Sequence, residues 1–360
     1  VLDALGEPRA ADRPDDFGPN TNVIGHAGRT FALVESGPVP YELTDELDTV
    51  GPTDFDGTLD GAYTAHPKRD PRTGELHAVV YYWEWNYIQY VVVGVDGKVR
   101  RTVNVPVPGG PMVHDCAITE SRVVLFDLPC IFDLDAAMNG AKLPYRWTPS
   151  YGARIGLLPR EAEADATVWC ELDDLCFVYH PLNAYDDGDH VVMDVAVHPK
   201  TFDANVNGPN EGNPTFERWT LDPTRGRVAR DVIDERPQEF PRHDERIIGS
   251  KHRYGYCATF AATPDRLSYG DLIKHDLVAG TSELHLLGDG RSAQEPVFVP
   301  KSADAAEDEG WVLAYAHDAE RDAADVIILD AQDFAAPPVA TIHLPVRVPY
   351  GFHGNWVSDV

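Results

Sequence analysis

The hydrophobic positions of this chain fall in short runs that are separated by polar and turn-forming residues. Runs of this kind, bounded by turn signals, are typical of β-strands. They occur in both halves of the sequence: FALVE at 31, AVVYY at 78, YVVVGV at 90, VVLFDL at 123, LCFVYH at 175, VVMDVAV at 191, VFVP at 297, WVLAY at 311, VIILD at 326 and VATIHL at 339.

The segments between these runs carry residues that favour tight turns. Asp-Gly pairs begin at 96, 187 and 289, and glycine permits the positive φ that hairpin turns need. Helical periodicity is nearly missing, and the best helix candidate, DLDAAMNG at 133–140, is short. Many short strands over 360 residues predict an all-β sandwich or a β-propeller, and propeller blades of roughly 40 to 50 residues fit the spacing better.

The domain organisation predicted from this pattern is simple. Strand-like runs continue through both halves without a Pro/Gly/Ser-rich linker, so residues 1–360 are predicted to form one domain. The Pro-rich stretch 129–160 interrupts the pattern. We expect this stretch to be a loop inserted over one face of the propeller.

Composition and charge limit the kinds of molecule that the protein is expected to bind. The chain has 43% hydrophobic residues, as a folded protein does, and its 30 Lys+Arg against 59 Asp+Glu give a net charge of −29. Such a charge repels nucleic acid phosphates and anionic lipid, so we expect a neutral or small partner and no nucleic acid.

The cysteines and the sequence near the N-terminus indicate the cell compartment in which the protein is expected. Five cysteines without a C-x-x-C pair indicate neither a disulfide framework nor a zinc ribbon. We therefore expect a cytoplasmic protein, since a secretory signal and an apolar run of about 18 residues are not seen either. The first residue is Val1 rather than Met, and we expect that an N-terminal segment is missing.

Four of the 14 histidines end or interrupt an apolar segment beside a residue that bends the chain: His66, His114, His180 and His353. They are 48, 66 and 173 residues apart, so only the fold could bring them together. In a propeller, strands of separate blades converge on the central axis, where four imidazoles could hold one ion. Neutral imidazole suits iron, zinc and copper.

Four neutral ligands leave the charge of the ion uncompensated. Buried carboxylates that accept the second ring N–H of each histidine would offset this charge. By sequence context the candidates are Glu35 in FALVE, Glu239 in RPQEFPR and Glu295 in AQEPVFVP.

These segments, together with NTNVIGHAGRT, GAYTAHPKRDPRTGELH, MVHDCAIT, VYHPLNAYD and YGFHGNW, resemble the carotenoid cleavage oxygenase family, also called the retinal pigment epithelial membrane protein family, over residues 18–356. The resemblance implies a seven-bladed β-propeller with Fe²⁺ on its central axis. It assigns the iron ligands to His66, His114, His180 and His353, and the supporting carboxylates to Glu35, Glu239 and Glu295. Family members carry further residues ahead of NTNVI, so the first and last blades are expected to be incomplete.

The activity implied is that of a non-haem iron dioxygenase. Such an enzyme cleaves a C=C double bond of a carotenoid or apocarotenoid with O₂, giving two carbonyl products. An apolar polyene needs an aromatic-lined tunnel, for which Phe352, Trp83 and Phe126 are the candidates, followed by Trp85, Trp147 and Tyr254. The stretch LPCIFDLDAAMNGAKLPYRWT from residue 128 is the candidate for a weak peripheral membrane contact.

The sequence is also compatible with other functions. Stilbene-cleaving relatives place a lysine directly before the first supporting glutamate, where it contacts a phenolic hydroxyl, whereas this chain has Val34. A carotenoid is therefore preferred over a lignostilbene. The further alternatives are an isomerohydrolase and a catalytically silent propeller that binds a ligand or a partner. A serine hydrolase is disfavoured, because no G-x-S-x-G sequence occurs.

Overall fold

Regular structure in this protein consists almost entirely of β-strands, which confirms the all-β prediction. Among the described residues, in the order of the chain, the strands and the α-helix are β1 (Thr21–His26), β2 (Arg29–Val34), β3 (Tyr41–Leu43), β4 (Thr49–Pro52), β5 (Lys68–Arg69), β6 (Leu76–Val80), β7 (Tyr87–Val93), β8 (Val99–Pro106), β9 (Ala117–Ile118), β10 (Arg122–Asp127), β11 (Cys130–Phe132), α1 (Leu134–Met138), β12 (Tyr145–Trp147), β13 (Arg154–Pro159), β14 (Val168–Glu171), β15 (Pro181–Asp187), β16 (His190–Val197), β17 (Thr215–Asp222), β18 (Arg227–Asp234), β19 (Gln238–Arg242), β20 (Tyr254–Thr263), β21 (Arg266–Asp276), β22 (Thr281–His285), β23 (Arg291–Ala293), β24 (Val297–Pro300), β25 (Gly310–Asp318), β26 (Ala323–Asp330) and β27 (Ala340–His343). The computed structural model describes residues 21–141, 143–206, 211–263, 266–349 and 351–357.

Consecutive strands pair in four-stranded antiparallel units. Three of these units are separate sheets, β1 to β4, β5 to β8 and β19 to β22. An eight-stranded sheet contains two more, β9-β10-β13-β14 and β15-β16-β17-β18, which are joined by a parallel pair at Glu171 and Arg227. In the last unit, β25, β26 and β27 follow an inner strand that is interrupted between β23 and β24.

Within a unit, the fourth strand is more exposed to solvent than the strands before it. In β7, a middle strand, all residues after Tyr87 are buried, whereas in β8, the fourth strand, exposed and covered positions alternate. The fully apolar run YVVV and the alternating run VRRTVNVP produce this difference directly. The first strand β15 also contacts the first strands β9 and β19 of the neighbouring units. Inner strands that pack together and outer strands that face solvent constitute a propeller-like arrangement.

The stretch 129–160 carries regular structure of its own. Strands β11 and β12 form a two-stranded hairpin around α1, and β13 pairs with β10 inside the third unit. The short helix matches the candidate at 133–140, and Asp133 caps it by accepting a hydrogen bond from the amide of Ala136 at 2.9 Å. Among the residues described, no helix has the length and apolar character needed to cross a bilayer.

Candidate metal centre

The structure brings the four predicted histidines together. One nitrogen each of His66, His114, His180 and His353 lies within 4.8 Å of the others. The Nε2 atoms of His114 and His180 are 3.1 Å apart, and the ring centroids of His66 and His353 are 4.5 Å apart. The four side chains are almost fully buried. Residues as far apart in the chain as His66 and His353 therefore share one small, buried volume.

Position in the units explains how three of these rings converge. His66, His114 and His180 each lie just ahead of the first strand of a unit, namely β5, β9 and β15. Because first strands lie innermost, the residue that enters such a strand points to the centre. His353 is different, since it lies after β27 in a segment without regular structure.

Glu35 supports His114. The residue follows β2, and its Oε1 accepts hydrogen bonds from His114 Nδ1 at 2.8 Å and from the Tyr81 hydroxyl at 2.7 Å. Burial alone would raise the pKa of Glu35, but the charge and hydrogen bonds of His114 and Tyr81 lower it. The carboxylate therefore stays charged and holds the ring with Nε2 facing the other histidines.

Glu239 supports His180 and a second histidine. Its Oε2 accepts a hydrogen bond from His180 Nδ1 at 2.7 Å, and its Oε1 accepts one from His198 Nε2 at 2.8 Å. Burial would raise the pKa of Glu239, yet its two histidine partners lower it below its usual value. Glu239 lies at an irregularity in the pairing of β19 with β20. Such irregularities re-aim side chains beside functional sites.

Glu295 supports His353 from the gap between β23 and β24. Its Oε1 accepts a hydrogen bond from His353 Nδ1 at 3.0 Å, and its Oε2 accepts from the amide of Gly354 and from Arg242, each at 2.9 Å. Burial opposes ionisation, but Arg242 and His353 hold the pKa of Glu295 at about 2. Each of the three predicted glutamates thus bonds one predicted histidine.

His66 has a different environment. The nearest carboxylate oxygen, Oδ2 of Asp115, is 3.8 Å from its Nδ1 and accepts a 2.8 Å hydrogen bond from Lys68 instead. Burial, reinforced by the other three histidines, lowers the pKa of His66 well below its usual value. This ring is therefore neutral, the form in which imidazole binds metals.

The pKa values of His114 and His180 are shifted in opposite directions. Burial lowers the pKa of His180, and the opposing effect of Glu239 does not reverse this. Burial also acts on His114, but the charge of Glu35 outweighs it and the pKa of His114 is raised.

The arrangement fits a metal ion. The Nε2 atoms of His66 and His353 are buried and have no hydrogen-bond partner, although an unpaired buried polar atom costs about 1–3 kcal/mol. A cation between the rings would satisfy both atoms. Carboxylates on Nδ1 leave Nε2 as the donor atom, and iron, zinc, copper and nickel all accept imidazole nitrogen. The four-histidine group could therefore bind a metal ion.

Aromatic side chains adjoin the histidines, and the sequence did not single them out. The ring of Tyr179 lies 5.2 Å from that of His114, and the ring of Phe240 lies 5.0 Å from His180 and 5.6 Å from His353. Phe240 has a positive φ of 56°, which is uncommon for a bulky residue. Each of the two aromatics is the direct sequence neighbour of a predicted site residue, His180 or Glu239, which was the available signal.

The aromatic residues that the sequence did propose lie in varied places. Phe352 is exposed beside His353, and Trp83 is half-buried against Phe132 with 5.1 Å between ring centroids. Phe126 is fully buried in the largest apolar core, in β10. Of the second group, Trp85 and Trp147 pack against core clusters, and Tyr254 lies under Lys274. A substrate contact for these residues stays a prediction.

A polar cavity of about 430 Å³ reaches the histidines from one side. Its lining includes His66, His180 and His353 together with the exposed residues Ala27 and Trp356. Small polar molecules could approach the centre along this cavity.

Comparison with known proteins agrees with this geometry. The model of the retinal pigment epithelial membrane protein family matches residues 8–358. The chain belongs to this family. A carotenoid cleavage oxygenase of Mycobacterium tuberculosis is 42% identical, with the alignment covering 99% of this chain and 81% of the relative.

Solved structures of family members have the same fold. A lignostilbene dioxygenase of Pseudomonas brassicacearum superposes with a TM-score of 0.88 at 31% identity, covering 96% of this chain and 76% of its own. The cobalt-substituted apocarotenoid oxygenase of Synechocystis gives 0.84 at 27% identity, covering 94% and 74%.

Proposed function

We propose that this protein is a non-haem iron dioxygenase that cleaves one C=C double bond of a carotenoid or apocarotenoid. The alkene R–CH=CH–R′ and O₂ give R–CHO and R′–CHO, so that each product receives one oxygen atom and no further reductant is consumed. The observation that carries the proposal is the four-histidine group with three of its rings bonded to buried carboxylates. The 42% identity to a carotenoid cleavage oxygenase supports the substrate class.

The residues of this chain would divide the work as follows. His66, His114, His180 and His353 would hold Fe²⁺, which would supply the redox-active centre that dioxygen needs. Glu35, Glu239 and Glu295 fix the tautomer of three rings and balance the charge of the ion. Tyr179 and Phe240 form apolar walls beside His114 and His180, and these walls exclude water and position the double bond.

A phenolic stilbene is the second candidate substrate, because a lignostilbene dioxygenase superposes with a TM-score of 0.88. The residue before Glu35 argues against it. Val34 is buried and apolar, so this position offers no cation to a phenolate oxygen.

The test is product analysis. The full chain, loaded with Fe²⁺ without oxygen, would be incubated with β-carotene, an apocarotenal or resveratrol under ¹⁸O₂, and the products identified by mass spectrometry. We expect paired carbonyl products from a polyene, each containing ¹⁸O, and no products from a His180→Ala control. Cleavage of resveratrol alone would favour the stilbene function. An isomerised alcohol without scission, or an iron-loaded protein that consumes no oxygen, would contradict the proposal.

We also propose that the propeller has seven blades, as the family resemblance implies. Support comes from the succession of antiparallel units in the described residues: three four-stranded sheets, two four-stranded units within one eight-stranded sheet, and a last sheet of five strands. For location, the five buried free cysteines support a cytoplasmic protein. The single-domain prediction for residues 1–360 stays a prediction.

A weak peripheral membrane contact through the hairpin that contains α1 is proposed on similar grounds. Leu134, Met138 and Leu143 are exposed by 56%, 61% and 45%, and all three lie between β11 and β12. Flotation with neutral lipid vesicles should be reduced in a variant with serine at these three positions, and equal flotation of both proteins would contradict the contact.

A further inference from the structure

His353 lies on the segment 351–357, which has no regular structure. The other three histidines enter a strand that a sheet holds in place, whereas this one depends on side-chain contacts for its position. Glu295 bonds its ring, as described above, but Glu295 alone does not fix the backbone on which the ring is mounted.

The backbone after His353 is attached through Asn355. The Asn355 side-chain amide donates hydrogen bonds to Asn22 Oδ1 at 2.7 Å and to the carbonyl of Val23 at 2.9 Å, both in β1. Its Oδ1 accepts a 2.7 Å hydrogen bond from Nη2 of Arg242. One half-buried amide therefore connects the segment of His353 with the first strand and with β19.

Asn22 continues this connection to a second histidine. Its Nδ2 donates a 2.8 Å hydrogen bond to the carbonyl of Ala65, the residue directly before His66. His66 is the ring without a carboxylate in hydrogen-bond range. The contact to Ala65 fixes the backbone from which that ring projects.

On the other side the connection returns to His353. Nη1 of Arg242 donates to the carbonyl of Gly354 at 3.0 Å and to Glu295 at 2.9 Å. An unbroken series of hydrogen bonds thus runs from the carbonyl before His66, through the two asparagines, Arg242 and Glu295, to the ring of His353. His66 and His353 are also the two rings whose Nε2 atoms are buried without a partner.

We propose that Asn22 and Asn355 are positioning residues of the metal centre, which hold His66 and His353 at the separation that a shared ion requires. The proposal rests on the proposed function only in that the four histidines bind a metal. An uncharged amide suits this role, because one group donates on one side and accepts on the other, and no buried charge is added. Since such partners act through the ligands, their loss should weaken metal binding rather than abolish it.

The test measures metal affinity and stability separately in the full chain. Metal-free wild type, Asn22→Ala and Asn355→Ala would be titrated with Co²⁺ against a competing chelator, and unfolded by heat with and without Co²⁺. We expect about a 10-fold weaker affinity in each variant and an altered visible Co²⁺ spectrum. The extra thermal stability that Co²⁺ confers should shrink as well. Asn355→Asp, which keeps the shape and the acceptor for Arg242 but loses the donor, should also bind Co²⁺ more weakly.

Asn104→Ala is the matched control, because Asn104 accepts a 3.0 Å hydrogen bond from the Gln89 amide between β7 and β8. It breaks the same type of contact in another unit and should leave Co²⁺ affinity unchanged. Wild-type affinity and spectrum in Asn22→Ala, Asn355→Ala and Asn355→Asp would overturn the positioning role while leaving the metal site intact. A wild-type protein that binds no Co²⁺ would instead overturn the four-histidine metal site itself.

Discussion

The Nε2 atoms of His114 and His180 face each other at 3.1 Å, while their Nδ1 atoms are held by Glu35 and Glu239. With protons placed on both Nδ1 atoms, the two Nε2 lone pairs point into the same space. Two lone pairs at this distance repel unless a cation lies between them. By fixing the two rings in this orientation, the carboxylates favour the binding of a cation between the histidines.

Replacing His180 should therefore remove the metal. In His180→Ala, one of four ligands is lost and Glu239 remains charged with one histidine partner fewer. We expect no retained metal after gel filtration and no turnover, measured by elemental analysis and oxygen uptake. His190→Ala, which changes a half-exposed histidine in β16, should retain the metal content of the wild type. Full metal content in the His180 variant would contradict the ligand assignment.

Replacing Glu239 should have a smaller effect. Glu239→Gln keeps the size of the side chain but loses the charge that stabilises His180 and His198, and a 10- to 100-fold loss of metal affinity is the scale expected. Chelator competition measures this change. An affinity equal to that of the wild type would show that the carboxylate does not support the metal.

Phe240→Ala should reduce turnover without loss of metal. The ring packs on His180 and His353, so its removal widens the space where a double bond would lie. Since aromatic contacts contribute about 0.5–1.5 kcal/mol, we expect kcat/KM for an apocarotenal to fall by up to about 10-fold. Phe126→Ala, by contrast, should lower the free energy of unfolding by about 3–5 kcal/mol, because Phe126 lies in the core. A Phe240 variant with unchanged kcat/KM would argue against a substrate contact.

The buried ion pair between Asp70 and Arg160 connects the second and third units, and removal of one partner should be strongly destabilising. Both side chains are buried, and Arg160 also donates to the carbonyl of Thr119. Asp70→Asn leaves the guanidinium without its carboxylate, and breaking such a pair costs about 3–5 kcal/mol. Urea unfolding measures the loss. Asp173→Asn, which breaks an exposed pair with Arg227, should cost less than about 1 kcal/mol.

Stability should fall in mildly acidic solution because of buried neutral histidines. Burial lowers the pKa of His275 to about 4, whereas an unfolded histidine titrates near 6.5. Between these values the unfolded chain binds the proton and the native one does not. This group therefore lowers the free energy of unfolding by up to about 1.4 kcal/mol for each unit of falling pH.

A comparison of variants tests this reasoning. In His275→Gln, urea unfolding between about pH 6.5 and 4 should depend less steeply on pH, by up to one proton. A slope in His275→Gln equal to that of the wild type would refute the role of His275.

The four histidines of the cluster could be predicted from the sequence because each lies in a recognisable family segment. His66, His180 and His353 are followed by proline or glycine, and each has a recognisable family segment around it. The all-β class followed from strand periodicity for a similar reason, since burial on one or both faces is written into local hydrophobicity. Both predictions depend on short-range patterns that survive in a single sequence.

Other parts of the site depend on contacts that no local pattern records. Asn22 and Asn355 are 333 residues apart and bond directly. Phe240 looks like any aromatic residue in a strand, and its position beside His180 depends on the irregular pairing of β19. His198 was not among the four predicted histidines, yet its Nε2 bonds Glu239, the carboxylate that also bonds His180. Long-range geometry, rather than residue type, decides these roles.

The distance of 3.8 Å between His66 Nδ1 and Asp115 Oδ2 is too long for a hydrogen bond, and it sets His66 apart from the other three histidines when a substrate binds. Three rings are clamped on their far side, so they cannot turn without breaking a carboxylate bond. The His66 ring lacks a carboxylate bond of this kind, so only the packing of its neighbours restrains its side-chain torsions. When a bound molecule presses on the metal centre, we therefore expect the ring of His66 to move first. The rings of His114, His180 and His353 should keep their orientation, because each is bonded to a carboxylate.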